Sequence, residues 1–233
     1  MTPTEGSWRS LFRASAVLLP LAGVFALAFG WLAVFYEYSG YMGTTSQAAI
    51  NYVGSNMLLF NSASVLLTLA VLCFLPAALA LYLSLRRTDQ GFTLWGAAFV
   101  VTGIGIILAN VSTTFYFVQE ANIWDGGCTA CGTAPLVAAE SAGSVNFANE
   151  LGFLILFLGV VVLSVVMLRG SAFSKVSGVI GLVAGIEGII SNFAVSTIGT
   201  SNTPNPPYVF VAVIPYVLLA LWTVSLSPKL LKL

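Results

Sequence analysis

Six long runs of predominantly apolar residues divide this chain and leave little choice of fold. They lie at about 14–36, 57–85, 92–118, 147–168, 176–198 and 208–226. A helix needs about 20 such residues to cross the hydrocarbon of a bilayer. A strand of a membrane barrel would be half as long and would alternate apolar with polar. The breaks between runs are polar or rich in Gly and Pro, as in Arg86-Arg87-Thr88-Asp89-Gln90-Gly91, Arg169-Gly170-Ser171 and Thr203-Pro204-Asn205-Pro206-Pro207. The reading is therefore all-α: a polytopic membrane protein with one domain, residues 1–233, built as a bundle of six transmembrane helices. Residues 37–56 and 119–146 are read as long outer loops.

Composition closes the alternatives. Charged residues make up 7% of the chain and hydrophobic residues 58%, whereas soluble domains carry about a quarter charged residues. Such a chain cannot clothe a water-facing surface. Disorder is excluded as well, because disordered chains are poor in apolar residues. There is no histidine, which removes His-ligated haem, zinc, copper and iron sites and a His general base. The net charge is zero and bases are few, which argues against nucleic acid as a partner. No metal and no cofactor is expected, with room left for lipid or quinone. Membrane lipid and other membrane protein subunits are the expected partners.

The bases set the orientation. Arg9 and Arg13 precede the first run, Arg86 and Arg87 separate the second and third, Arg169 and Lys175 separate the fourth and fifth, and Lys229 and Lys232 follow the sixth. Six crossings put all eight on one side, which the positive-inside rule makes cytoplasmic. Both termini are then cytoplasmic and the membrane is the plasma membrane. Glu37, Glu120, Asp125 and Glu140 fall on the other side, where Tyr36, Tyr38, Tyr41, Tyr116 and Trp124 mark the interface. Ala26-Leu27-Ala28 resembles a signal-peptide cleavage site, but the apolar run continues to Tyr36, so the first helix is expected to be retained as a span.

Lipid gives helices no hydrophobic reason to associate, so small residues mark the contacts. Gly178, Gly181, Gly185 and Gly188 form one stripe of the fifth run, with Gly103 and Gly105 of the third run as its expected partners. Pro20, Pro76 and Pro215 sit within the first, second and sixth runs and are expected to kink them. These features are read as static packing in preference to a hinge.

Glu187 is the ionisable residue near the middle of a span, about twelve residues into the fifth run. A charge there costs several kcal/mol, so it should face the bundle, find a polar partner or be protonated. Ser191 lies one turn on, on the same face. Asn110 and Asn61 lie nearer the outer side. Glu187, Ser191 and Asn110 are the candidate buried polar or ion site, read equally well as hydrogen-bonding glue between helices. Cys128 and Cys131 form a CxxC pair between glycines in the outer segment. On an oxidising side they are expected to form a loop-stapling disulfide. A redox centre is the alternative, although no base stands beside them to lower a thiol pKa. Cys73 is a small apolar filler.

Three segments carry a family resemblance. Leu79-Ala80-Leu81-Tyr82-Leu83 runs into Arg86-Arg87 and then Gly96. Phe173-Ser174-Lys175-Val176-Ser177-Gly178-Val179-Ile180-Gly181 opens the fifth run, and Leu221-Trp222 precedes Lys229. In this layout the chain resembles a family of six-helix prokaryotic membrane proteins known as a domain of unknown function. The resemblance implies six helices and supplies no catalytic residue.

The favoured expectation is a non-catalytic subunit, or a partner-binding or lipid-binding component, of a larger membrane complex. One alternative is a small-solute or proton-coupled transporter using Glu187. Another is a quinone-linked thiol oxidoreductase using Cys128 and Cys131, which would want a second cysteine pair to relay electrons.

Overall fold

The computed structural model describes residues 8–38, 46–125, 134–198 and 206–232. Among them the regular structure is entirely helical. In chain order the helices are α1 (Arg9–Tyr38), α2 (Ser46–Ser55), α3 (Met57–Leu85), α4 (Gln90–Asp125), α5 (Ala134–Arg169), α6 (Lys175–Ile198) and α7 (Pro206–Leu230). All but α2 are long and apolar enough to cross a membrane. The chain is a multi-pass membrane protein. Helices α1, α3 and α7 run on through Pro20, Pro76 and Pro215.

The described residues of the two outer segments, 37–56 and 119–146, are largely helical, which corrects the reading of those parts as loop. Helix α2 occupies 46–55, α4 continues to Asp125, and α5 begins at Ala134. The extension of α5 is rich in alanine, the best helix former, at Ala134, Ala138, Ala139 and Ala142. It lacks the apolar periodicity by which a helix is read from sequence. Helix α2 is held by Ile50 and Val53, which are fully buried against Phe60, Phe117, Val118 and Ala121. Trp124 Nε1 donates to Asn51 Oδ1 at 3.1 Å, tying α4 to α2.

Short connections decide which helices lie side by side. Four residues join α3 to α4 and five join α5 to α6, so each pair is an antiparallel neighbour. Each spanning helix packs on the next in the chain, and α7 packs back on α1, closing the six into a ring. The joints are built with caps. Asp89 Oδ1 accepts the Phe92 N–H at 3.1 Å at the start of α4, and Ser174 Oγ accepts the Ser177 N–H at 3.0 Å at the start of α6. Both satisfy backbone donors that a helix start leaves open. Arg169 joins the two connections. Its guanidinium stands 3.9 Å from Asp89 Oδ2 and 5.4 Å above the Phe92 ring. Lys175 Nζ donates to the Leu168 and Gly170 carbonyls at the end of α5, where a cation is favoured.

Glycine pairs seven residues apart set the helices close together. They are Gly23 and Gly30 on α1, Gly96 and Gly103 on α4, Gly152 and Gly159 on α5, and Gly178 and Gly185 on α6. A seven-residue repeat keeps one seam of a helix on its partner through left-handed packing. At the α4–α5 seam the backbones nearly touch. A Cβ on Gly103 would stand 2.6 Å from the Gly152 carbonyl oxygen, and one on Gly159 would stand 2.8 Å from that of Gly96. On α1, Gly23 admits Ala220 and Thr223 of α7, and Gly30 admits the Tyr216 ring. Ser227 Oγ of α7 also donates to the Ala16 carbonyl of α1 at 2.6 Å.

The glycine stripe of α6 lies against α5, not against Gly103 and Gly105. Gly178 meets Leu168, Gly181 meets Ser164, Gly185 meets Val161, and Gly188 meets Phe157. Gly103 serves the other side of α5, and Gly105 faces open space. The reason is topological: α4 and α6 flank the same helix. The face of α6 turned away from its glycines carries Val176, Val179, Val183, Ile186, Ile190 and Phe193, all exposed. In water such a stripe would be an aggregation hazard; in lipid it is the ordinary outer surface.

Candidate functional site

Helix α6 carries Glu187 on the flank of its buried face, about a third of a turn from the glycine stripe at 100° per residue. The Glu187 side chain is half-buried. Ser191, buried at 3% exposure, lies one turn further on. Its Oγ donates to Glu187 Oε1 at 3.4 Å, a long hydrogen bond. The fold therefore brings Glu187 and Ser191 together.

It does not bring Asn110 to them. Asn110 is half-buried on α4 and donates through Nδ2 to the Ile106 carbonyl of its own helix at 2.9 Å. Both α4 and α6 pack on α5, so the two polar positions belong to different seams. Asn192 likewise donates to the Gly188 carbonyl at 2.8 Å. Intrahelical bonding of this kind is how short polar side chains are satisfied where water is absent. Asn61 is half-buried on α3. Cys128 and Cys131 lie outside the described residues. Cys73 is half-buried among the apolar side chains of the core.

An aromatic cluster fills the middle of the ring. Phe29 of α1 stacks on Phe153 of α5 at 6.1 Å between ring centres and meets Tyr216 of α7 edge-on at 5.8 Å. Phe153 also stacks on Phe157 at 6.5 Å. Since α1 and α5 are not neighbours around the ring, the Phe29–Phe153 contact spans it. Beside this cluster is a cavity of about 30 Å³, lined by Ala22, Leu67, Phe74, Phe157, Leu219 and Tyr216 among others. A small cavity with an apolar lining of this kind stays dry.

Two polar atoms that sequence reading passed over sit in the α5–α6–α7 junction. Ser164 Oγ and Trp222 Nε1 are buried with no hydrogen-bond partner among the described residues. Both crowd the place where a Cβ on Gly181 would stand. Trp222 is fully buried and lies 6.1 Å from Phe74, ring to ring. The available sequence signal was a lone Ser in an otherwise apolar stretch of α5, together with the Gly181 position. Nothing local says that the two face each other.

A second unforeseen feature lies at the end of the ring that carries the bases. Arg9, Phe12 and Arg13 of α1 and Leu230, Leu231 and Lys232 at the end of α7 enclose a cavity of about 140 Å³. These residues are more than 200 positions apart in sequence, so no local pattern pairs them.

The model of the family described as "Domain of unknown function (DUF4386)" matches residues 21–225, and the chain belongs to that family. No curated protein and no solved structure matches it.

Proposed function

We propose that this member of the DUF4386 family is a non-catalytic component of the plasma membrane, with both termini in the cytoplasm, that fills a helical place in a larger membrane complex. The observation that carries this reading is the packed interior. The ring centre is occupied by Phe29, Phe153, Phe157 and Tyr216, and the cavity that the described residues leave beside them is apolar and only about 30 Å³. A bundle filled in this way suits a static scaffold whose working surface is its outside. That outside is apolar along the spans, as contact with lipid and with neighbouring helices requires. The orientation rests on the eight bases and the positive-inside rule.

The test is extraction from native membranes in a mild detergent, followed by native mass spectrometry. The proposal expects a discrete mass above the monomer that contains a second, recurring membrane protein. A chain that runs alone, from several detergents and without a recurring companion, contradicts it.

A second reading draws on the Ser191–Glu187 hydrogen bond. A carboxylate in the middle of a spanning helix suits a proton-coupled or cation-coupled carrier. Solute flux and proton flux in reconstituted vesicles, with Glu187→Gln as the comparison, separate this reading from the first.

A further inference from the structure

The bases at one end of the ring do more than set orientation. Three of them converge. Arg9 and Arg13 lie one turn apart at the start of α1, and Lys232 follows the end of α7. Together with Phe12, Leu230 and Leu231 they line the 140 Å³ cavity between the two helices. All three bases and Leu231 are exposed, Phe12 is half-buried, and Leu230 is fully buried behind them. The cavity thus has a cationic mouth with an apolar flank formed by Phe12 and Leu231, and it opens where a spanning bundle meets the polar layer of the bilayer. Among the described residues none of the three bases has a carboxylate partner. Asp89, the described carboxylate at this end of the ring, is engaged by Arg169.

Three cations held together, with no carboxylate beside them among the described residues, make an anion site. Two of them are guanidiniums, which suit phosphate oxygens because their planar donors can bind in a bidentate manner. The apolar flank favours a phosphate that carries a greasy substituent over a free one. Closing the ring creates the site, because α1 supplies two bases and the end of α7 supplies the third.

We propose that this cavity binds the phosphate of an anionic phospholipid headgroup, with Arg9, Arg13 and Lys232 as its ligands and the start of the lipid's acyl chains against Phe12 and Leu231. The inference goes beyond the scaffold reading and does not depend on a protein partner, so either can fail while the other stands.

The experiment uses the full chain in neutral detergent. Native mass spectrometry counts bound phosphatidylglycerol, and thermal unfolding measures the protection it gives. Phosphatidylcholine and inorganic phosphate form separate arms. One phosphatidylglycerol per chain is expected, with weaker retention of the zwitterionic lipid and little effect of inorganic phosphate. A base beside an anionic headgroup is worth about fivefold in affinity. Arg13→Gln with Lys232→Gln should therefore weaken phosphatidylglycerol binding roughly 25-fold. Arg86→Gln with Arg87→Gln, at the same end but not among the residues that line the cavity, should leave it within about twofold, since exposed charges are screened by salt. Arg13→Lys keeps the charge and should retain most of the binding, which guards against loss through misfolding. Equal losses in the two double variants would reduce the effect to general surface charge and overturn the site. Inorganic phosphate that protects as well as the lipid would overturn the lipid assignment.

Discussion

The α4–α5 seam offers a comparison between two glycines on one helix. A Cβ on Gly103 would stand 2.6 Å from the Gly152 carbonyl oxygen and 2.7 Å from the Leu156 amide nitrogen, both backbone atoms that cannot rotate away. Ordinary contact begins near 3.4 Å, so Gly103→Ala must part the two backbones by about 0.8 Å locally. A gap of 0.5–1 Å forfeits about a quarter to a half of the attraction between the atoms that face it. Overpacking of this kind costs about 1–3 kcal/mol. The better helix propensity of alanine returns up to about 1 kcal/mol, which leaves a net loss of about 0–2 kcal/mol against the parent and about 1–3 kcal/mol against an unclashed alanine on the same helix. Gly105, two residues along, has nothing within 4 Å of its Cβ position. Gly105→Ala gains the propensity without the clash and should be neutral or stabilising by up to about 1 kcal/mol. Unfolding titrations in mixed detergent micelles, followed by circular dichroism, give both values. Equal stabilities for the two variants would refute the seam and the register drawn for it.

Other perturbations are read from the same contacts. Ser164→Ala removes a buried hydroxyl without a partner and should raise stability by about 1 kcal/mol. Gly181→Ala crowds Ser164 and Trp222 and should lower it by about 1–3 kcal/mol, with partial recovery when the two changes are combined. Asp89→Ala loses the cap on α4 and the contact with Arg169, about 1–2 kcal/mol together. Asp89→Asn keeps a capping side chain and should cost under about 0.5 kcal/mol, because the ion pair is largely exposed; a loss as large as that of the alanine variant would shift the weight from the cap to the pair. Glu187→Gln keeps the size of the side chain and its acceptor for Ser191, so the scaffold reading expects unchanged stability and assembly, read by thermal unfolding and native mass spectrometry. Alkylation with and without reductant, read by mass, shows whether Cys128 and Cys131 are bridged; the expected disulfide adds two alkyl groups only after reduction.

Much of the architecture is legible because lipid imposes it. A chain this poor in charge must hide its backbone in helices, and the apolar runs show where they are. What escaped reading has identifiable causes. Helix α2 is only ten residues long, with Ile50 and Val53 as its buried pair, and the first turns of α5 are rich in Ala, Ser and Gly, so neither gives a long apolar stripe to follow. The stripe on α6 is visible in sequence, but its partner is not. Gly103 and Gly105 are small enough to suggest close packing, yet the stripe takes the larger Leu168, Val161 and Phe157 of α5, and the choice is made by ring order, with α5 standing between α4 and α6. The seven-residue glycine pairs on α1, α4 and α5 were a usable signal once helix neighbours were known. Glu187 and Ser191 share a face by helix geometry alone, so their contact follows from local spacing. Contact between Asn110 and Glu187 would have needed a tertiary seam that the ring does not form. The cavity of Arg9, Arg13 and Lys232 depends on the first and last spans meeting, which no local pattern reports.

The central claim is that the spans alternate so that every base gathers at one face of the membrane, and cysteine labelling tests it most directly. In a chain carrying Cys73→Ser, Cys128→Ser and Cys131→Ser, single variants Ser55→Cys, Thr88→Cys and Ser171→Cys place a thiol at exposed positions in or beside three connections. A membrane-impermeant maleimide added to intact cells should label the variant at 55 and spare those at 88 and 171, which react once the cells are opened. Labelling at 55 and 88 from the same side would contradict the crossing between them, and labelling at 88 and 171 in intact cells would contradict the orientation.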